Sequence, residues 1–154
     1  MHNTGSIALS IWRILVGAYF LIMGTVKLAS GWLGSGAALN DSLMRMLPQS
    51  VPAYADFLQS IVLPNIAVFS ALVTVGEIAT GLSLGLGVVP RAGALVGAWL
   101  TLNYMLMRGG PVLGLEELLF CMSCLGFAMW TEHLRWRLDH LRAGRLRRAP
   151  LRAG

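Results

Sequence analysis

The sequence is short of charged residues. Asp, Glu, Lys and Arg make up only 12% of its 154 residues, whereas hydrophobic residues make up 56%, and the mean hydropathy is +0.67. Soluble domains carry about 25% charged residues, so this composition excludes an ordinary water-exposed surface. We expect a chain that folds against lipid as one membrane domain.

Cysteine is also scarce, and several motifs of soluble enzymes are missing. Two cysteines cannot form a disulfide framework. The sequence contains no P-loop and no dinucleotide fingerprint, and its three histidines have no Cys or His at metal-ligand spacing. We therefore expect neither a nucleotide nor a metal.

The net charge of +5 is concentrated at one end of the chain. Residues 132–154 contain seven Arg against Glu132 and Asp139, whereas basic and acidic residues cancel in the remainder. A basic segment beside a membrane helix is typical of a cytoplasmic end. The positive charge therefore describes a cytoplasmic tail and not a nucleic-acid-binding surface, and no nucleic-acid partner is expected.

Four apolar segments approach the length that crosses a bilayer, since about 20 helical residues span a hydrocarbon core of ~30 Å. They lie at about 7–29, 63–87, 91–108 and 113–131. Segment 31–62 mixes apolar and polar residues at helical spacing, which predicts short interfacial helices between spans one and two. The predicted fold is all-α, an integral membrane four-helix bundle over residues 1–131 with the basic tail 132–154. Four spans place both termini in the cytoplasm, and we expect a bacterial-type inner membrane.

Glu77 lies near the middle of the second apolar segment, where a charge is costly and therefore a candidate for function. The residues that share its helix face are all small or polar, namely Ser70, Thr74, Gly81 and Gly85. The opposite face carries Leu72, Val75, Ala79, Leu82 and Leu86. Small residues allow helices to approach closely, so Glu77 is predicted to point into the bundle.

The first span carries both of its charges on one seam. Steps of three and four residues connect Arg13, Gly17, Phe20, Gly24 and Lys27. Depth along the helices, at 1.5 Å per residue, favours an Arg13–Glu77 ion pair, with Lys27 and Arg108 near the outer face. The charges either clamp two helices together or form a site for a polar head group or a proton.

The same segments resemble the DoxX/DoxD family of small four-helix membrane proteins. "RILVGAYFLIMGTVKL" resembles the first helix of that family, and "GEIATGLSLGLGVVPRAGAL" resembles its second-to-third helix turn. "VLPN" at 62–65 and "LNYM" at 102–105 are similar to the DoxD-type branch. The resemblance covers residues 10 to 130.

The resemblance implies a membrane subunit of a redox complex, because the DoxD-type member belongs to a thiosulfate:quinone oxidoreductase and other relatives belong to complexes linked to thiol stress. A quinone is then the expected ligand, with Arg13, Glu77, Asn103 and Tyr104 around it. Glu77 and Arg13 are the candidate catalytic residues. Lys27 and Arg108 are candidates for holding an anionic substrate.

Two alternatives remain open at this point. The chain is either an oxidoreductase subunit or a non-catalytic anchor that assembles a larger membrane complex, with a partner subunit or further copies of itself. Cys121 and Cys124 share a helix face and are either a redox dithiol or ordinary packing residues. Buried thiols with no neighbouring cation favour packing.

Overall fold

The structure, a computed structural model, describes residues 2–130. Helices account for most of this part of the chain, and it contains no β-strand. The α-helices are α1 (His2–Ala29), α2 (Ala37–Met46), α3 (Pro52–Phe57), α4 (Ile66–Leu86), α5 (Pro90–Met107) and α6 (Leu115–Trp130). The predicted tail, 132–154, lies outside the described residues.

Helices α1 and α4 pack closely, and glycine makes the approach possible. A Cβ atom added to Gly17 would lie 2.5 Å from the backbone nitrogen of Gly85, and one added to Gly81 would lie 2.5 Å from the backbone nitrogen of Leu21. Neither helix could carry a side chain at these positions without separating from the other. As predicted, the face of α4 that contains Glu77 is buried, whereas the opposite face exposes Leu72 and Val75.

A tight turn at residues 87–90 connects α4 to α5. Gly87 has a φ of 69°, the left-handed conformation that ends many helices and suits glycine. Ser83 Oγ donates a hydrogen bond to the carbonyl oxygen of Val88 at 2.8 Å, and Pro90 begins α5 with its ring in the position that a helix tolerates best. Helix α5 then packs against α4 and α6 around the core residues Phe20, Leu84, Ala94 and Cys124.

The segment between α1 and α4 differs from the prediction of separate interfacial helices. Only α2 is separate, because α3 continues through a π-helical turn (Leu58–Val62) and a 3-10 turn (Leu63–Asn65) into α4. Pro64 explains these irregular turns, since it has no backbone N–H and its ring displaces the preceding turn. The result is one helical segment, Pro52–Leu86.

A second, smaller apolar core joins α2 to the start of this long segment. Its buried members are Leu39, Leu43, Leu58 and Val62. Trp32, Tyr54 and Met107 pack against it, so the core covers the ends of α1 and α5. We call residues 31–65 the cap.

Two described segments are long and apolar enough to cross a membrane, Ile7–Ala29 and Pro52–Leu86. Helices α5 and α6 lie where the third and fourth spans were predicted, beginning at Pro90 and Leu115. Their crossing of a bilayer stays a prediction.

Candidate functional site

Three polar side chains meet in the interior where α1, α4 and α5 come together. Lys27 Nζ forms a salt bridge with Glu77 Oε1. The hydroxyl of Tyr104 donates a hydrogen bond to the same oxygen at 2.6 Å, and Lys27 Nζ donates one to the Tyr104 hydroxyl at 2.7 Å. We call these residues the Lys27–Glu77–Tyr104 cluster.

Glycine on α1 allows the cluster to form. A Cβ atom on Gly24 would lie 3.1 Å from Glu77 Cβ and 2.9 Å from the backbone nitrogen of Ile78. With no side chain at residue 24, α1 approaches α4 directly at the level of Glu77. Lys27 follows three residues later on the same face of α1, so its long side chain reaches the carboxylate.

Aromatic rings surround the ammonium group of Lys27. Its Nζ atom lies 5.0 Å from the centroid of the Trp32 ring and 4.9 Å from that of the Tyr104 ring, within the distance at which a ring face attracts a cation. Trp32 belongs to the cap, and its carbonyl oxygen accepts a hydrogen bond of 2.5 Å from Ser70 Oγ of α4. The cap therefore closes over the cluster on the side of Lys27.

The cluster is buried unevenly. Glu77 is 2% exposed, whereas the side chain of Lys27 retains 16% of its accessible surface. Glu77 Oε2 is fully buried and has no hydrogen-bond partner within residues 2–130. The cluster thus combines a cation, a phenol and a carboxylate with one oxygen open to a further donor, an arrangement able to bind a polar group or exchange a proton.

The prediction of an Arg13–Glu77 ion pair is wrong, because Glu77 pairs with Lys27. Arg13 is fully buried and donates a hydrogen bond of 2.5 Å to the carbonyl oxygen of Leu84. That carbonyl belongs to the last turn of α4, where carbonyl oxygens lack helical partners and attract a cation. The glycine contacts set the register of α1 on α4, and this register places Lys27, not Arg13, beside Glu77.

The role of Lys27 and Arg108 in holding an anionic substrate stays a prediction. Arg108 Nε lies 2.8 Å from Glu117 Oε1 of α6, so each cation already faces a carboxylate. Asn103 connects α5 to the cap by accepting a hydrogen bond of 2.7 Å from the Tyr54 hydroxyl, and its predicted role in lining a cavity stays a prediction. Of the predicted site residues, the structure brings together Glu77, Tyr104 and Lys27.

The two cysteines lie in the interface between α5 and α6. Both are buried free thiols. The Cys121 thiol donates a hydrogen bond to the carbonyl oxygen of Ala98, with a distance of 3.5 Å from Sγ. A Cβ atom on Gly97 would lie 3.0 Å from Cys124 Sγ. These contacts are those of packing residues, and a redox role for the pair stays a prediction.

A groove of about 200 Å³ lies between α1 and α6, away from the cluster. It is lined by Leu9, Trp12, Ser123, Gly126, Phe127 and Trp130. Trp12 Nε1 donates a hydrogen bond of 3.2 Å to Ser123 Oγ across it. The groove therefore lies beside the part of α1 that precedes Arg13, and not at the cavity predicted around Glu77.

The all-helical fold, the two long apolar segments and the charges buried between helices indicate a helical membrane protein. The family model described as DoxX matches residues 8–108, more than half of the chain. The chain belongs to the DoxX family, which confirms the predicted family, and the similarity to its DoxD-type branch stays a prediction. The match includes most of α1, all of α2 to α5 and all three residues of the cluster, and α6 follows it. No curated protein and no solved structure gives a significant match.

Proposed function

We propose that this chain is the membrane subunit of a quinone-linked redox complex and that the Lys27–Glu77–Tyr104 cluster receives the quinone head group. One observation carries the proposal: a carboxylate buried among apolar helices, hydrogen-bonded to a phenol and an ammonium, with its second oxygen open. Such a group is costly in a membrane protein and marks a functional site by default.

The chemistry of the cluster suits a quinone. The carbonyl oxygens of a quinone accept hydrogen bonds, and Lys27 and Tyr104 supply N–H and O–H donors. Reduction of a quinone to a quinol consumes two electrons and two protons, and Glu77 is placed to exchange protons with the head group. Lys27 is more accessible than Glu77, so a head group approaches from its side, beneath Trp32.

The electrons come from a partner. This chain has no motif for a redox cofactor, and the donor we propose is a reduced sulfur compound oxidised on a partner subunit. Two thiosulfate anions joined as tetrathionate release two electrons, as do two thiols joined as a disulfide. Either oxidation supplies the two electrons that reduce one quinone; the two protons are released by the thiols in the second case and are taken from water in the first.

We propose that all four long helices, α1, α4, α5 and α6, cross a bacterial-type inner membrane. Both termini then lie in the cytoplasm, where the seven Arg of residues 132–154 favour them. The cluster lies near the opposite face, below the cap. A donor on that side would deliver electrons close to the quinone.

The substitution Glu77→Gln tests the proposal. Glutamine keeps the size of the side chain but cannot exchange a proton at neutral pH, so we expect quinone-linked activity to fall by about 100-fold or more. The measurement is thiosulfate-dependent quinone reduction in membranes that contain the chain, lack it, or carry the variant. Expression and the melting temperature in detergent report on folding.

Glu117→Gln is the matched control, because Glu117 is also buried, also paired with a cation and also has an oxygen without a partner in the described part of the chain. We expect this variant to retain activity. Full activity of the Glu77→Gln variant, with a normal yield of folded protein, would contradict the proposal.

A non-catalytic anchor is the second candidate, favoured by the pairing of both buried carboxylates with cations on other helices. Such pairs clamp helices, and replacing a buried pair by apolar residues often leaves stability unchanged. The double variant Lys27→Met/Glu77→Leu separates the two functions. An anchor retains both the assembled complex and its activity, whereas a quinone site loses the activity and keeps the assembly.

A further inference from the structure

Two buried polar atoms on α4 lie one helical turn apart, and neither has a hydrogen-bond partner among the described residues. They are Glu77 Oε2 and Thr80 Oγ1. Glu77 is 2% exposed and Thr80 is fully buried. Buried polar atoms are nearly always hydrogen-bonded to protein or ordered water, so two such atoms on neighbouring side chains require a common explanation.

Thr80 differs from the other buried threonines of the bundle. Thr74 Oγ1 donates to the carbonyl oxygen of Ser70 at 2.9 Å, and Thr101 Oγ1 donates to that of Gly97 at 2.9 Å. Both hydroxyls thereby bond to their own helix, the usual solution in an apolar environment. The hydroxyl of Thr80 makes no such bond.

The methyl group of Thr80 fills the contact with α5. A Cβ atom on Gly97 would lie 2.9 Å from Thr80 Cγ2, so the methyl group and not the hydroxyl packs against that helix. The hydroxyl takes no part in this contact, and Oγ1 is buried without a hydrogen-bond partner among the described residues.

The two side chains are neighbours on one face of α4, since residues i and i+3 of a helix have Cβ atoms about 5–6 Å apart. One water molecule can bond to two such groups at about 2.8 Å each. A neutral ligand fits better than a cation because Lys27 already balances the charge of Glu77. Water also supplies what both atoms lack, since it can donate to the carboxylate and either donate to or accept from the hydroxyl.

We propose that Glu77 Oε2 and Thr80 Oγ1 form a binding site for a single buried water molecule. The water donates a hydrogen bond to the second carboxylate oxygen, so that both oxygens of Glu77 are hydrogen-bonded. Thr80 is thus a positioning residue for Glu77. Both proposals involve Glu77 Oε2, but they are tested by different measurements: the water site by stability and electron density, and the proposed function by quinone-linked activity.

The first test compares Thr80→Val with Thr101→Val by thermal unfolding in detergent. Valine matches threonine in shape, so the substitution removes the hydroxyl alone. We expect Thr80→Val to lower the melting temperature by about 2–4 °C and Thr101→Val to leave it nearly unchanged. If Thr80 holds no ligand, removing its unbonded hydroxyl is neutral or stabilising, and a melting temperature at or above that of the wild type overturns the proposal.

The same comparison in a Lys27→Met/Glu77→Met background identifies the partner of Thr80. Without the carboxylate the water loses its second ligand, so we expect the effect of Thr80→Val to disappear. An equal loss in both backgrounds would assign the hydroxyl to another group and would overturn the proposal.

A direct observation decides the matter even if the double variant does not fold. In a structure of the wild-type protein at a resolution that shows ordered water, we expect one density peak within hydrogen-bond distance of both Glu77 Oε2 and Thr80 Oγ1. A Thr80 hydroxyl bonded instead to the carbonyl of Gly76, with no peak beside Glu77, contradicts the proposal.

Discussion

At the scale of single residues, Tyr104 holds the buried charges in place. Its hydroxyl donates to Glu77 Oε1 and accepts from Lys27 Nζ, so one phenol satisfies both members of the ion pair. Taking two charges out of water is costly, and their attraction offsets this cost only when additional hydrogen bonds are made. Tyr104 supplies these bonds.

We therefore expect Tyr104→Phe to lower the free energy of unfolding by about 1–2 kcal/mol. This value lies between the small average stabilisation by hydrogen bonds in membrane proteins and the larger stabilisation by bonds to charged groups. The measurement is denaturant-induced unfolding in mixed micelles.

Tyr54→Phe is the control for Tyr104→Phe. The Tyr54 hydroxyl bonds to the neutral amide of Asn103, so its loss should cost roughly 0.5–1 kcal/mol. A Tyr104→Phe variant as stable as the wild type would show that the phenol hydroxyl does not support the ion pair.

At the scale of elements, the contact between α1 and α4 depends on glycines that are not equivalent. Gly81 and Gly85 occupy the small-x-x-x-small spacing predicted to bring helices together. A Cβ atom on Gly81 would collide with the backbone of Leu21, whereas one on Gly85 would have no atom within 4 Å. The backbone of Gly85 nevertheless closely faces Gly17.

Gly81→Ala should accordingly destabilise the bundle by about 1–3 kcal/mol, because the added methyl group forces the two backbones apart. Separation of α1 from α4 would also loosen the Lys27–Glu77 salt bridge. Thermal unfolding of the purified variant in detergent measures the effect.

Gly85→Ala provides the comparison on the same helix. Alanine fits there and favours a helix over glycine by up to about 1 kcal/mol, so this variant should be as stable as the wild type or more stable. Equal destabilisation by both substitutions would contradict the packing described for α1 and α4.

At the scale of the whole molecule, the buried charges form two ion pairs connected through α5. Tyr104 and Arg108 are one turn apart on this helix, and they contact Glu77 and Glu117 respectively. All four of the longest helices thus contribute to one polar region below the cap. Opposite charges on different helices oppose their separation in lipid, although each pair adds little net stability.

The predicted topology has a simple experimental test. Four crossings place the N-terminus, the C-terminus and the turn at 87–90 on the cytoplasmic side, and the cap and residues 108–114 on the other. Single cysteines introduced at these positions into a Cys121→Ala/Cys124→Ala chain should react with a membrane-impermeant thiol reagent only on the predicted side in intact cells. Labelling of the two termini on opposite sides would show an odd number of crossings.

The amino-acid sequence by itself determined which segments are helical and which faces are buried. Spacing of small and polar residues identified the face of α4 around Glu77 and the seam of α1, because helical periodicity and side-chain size are local properties. The family and the membrane character were likewise readable from the apolar segments and the quoted motifs.

Only the tertiary structure decided which charges meet. Counting residues from helix ends selected Arg13 as the partner of Glu77, but the glycine contacts set a register that brings Lys27 and Tyr104 there instead. The hydrogen bond of Tyr104 to Glu77 and that of Ser70 to the carbonyl oxygen of Trp32 also join residues distant in the chain. Local pattern specifies the face that a helix buries, whereas the partner of a buried charge depends on how two helices slide and rotate against each other.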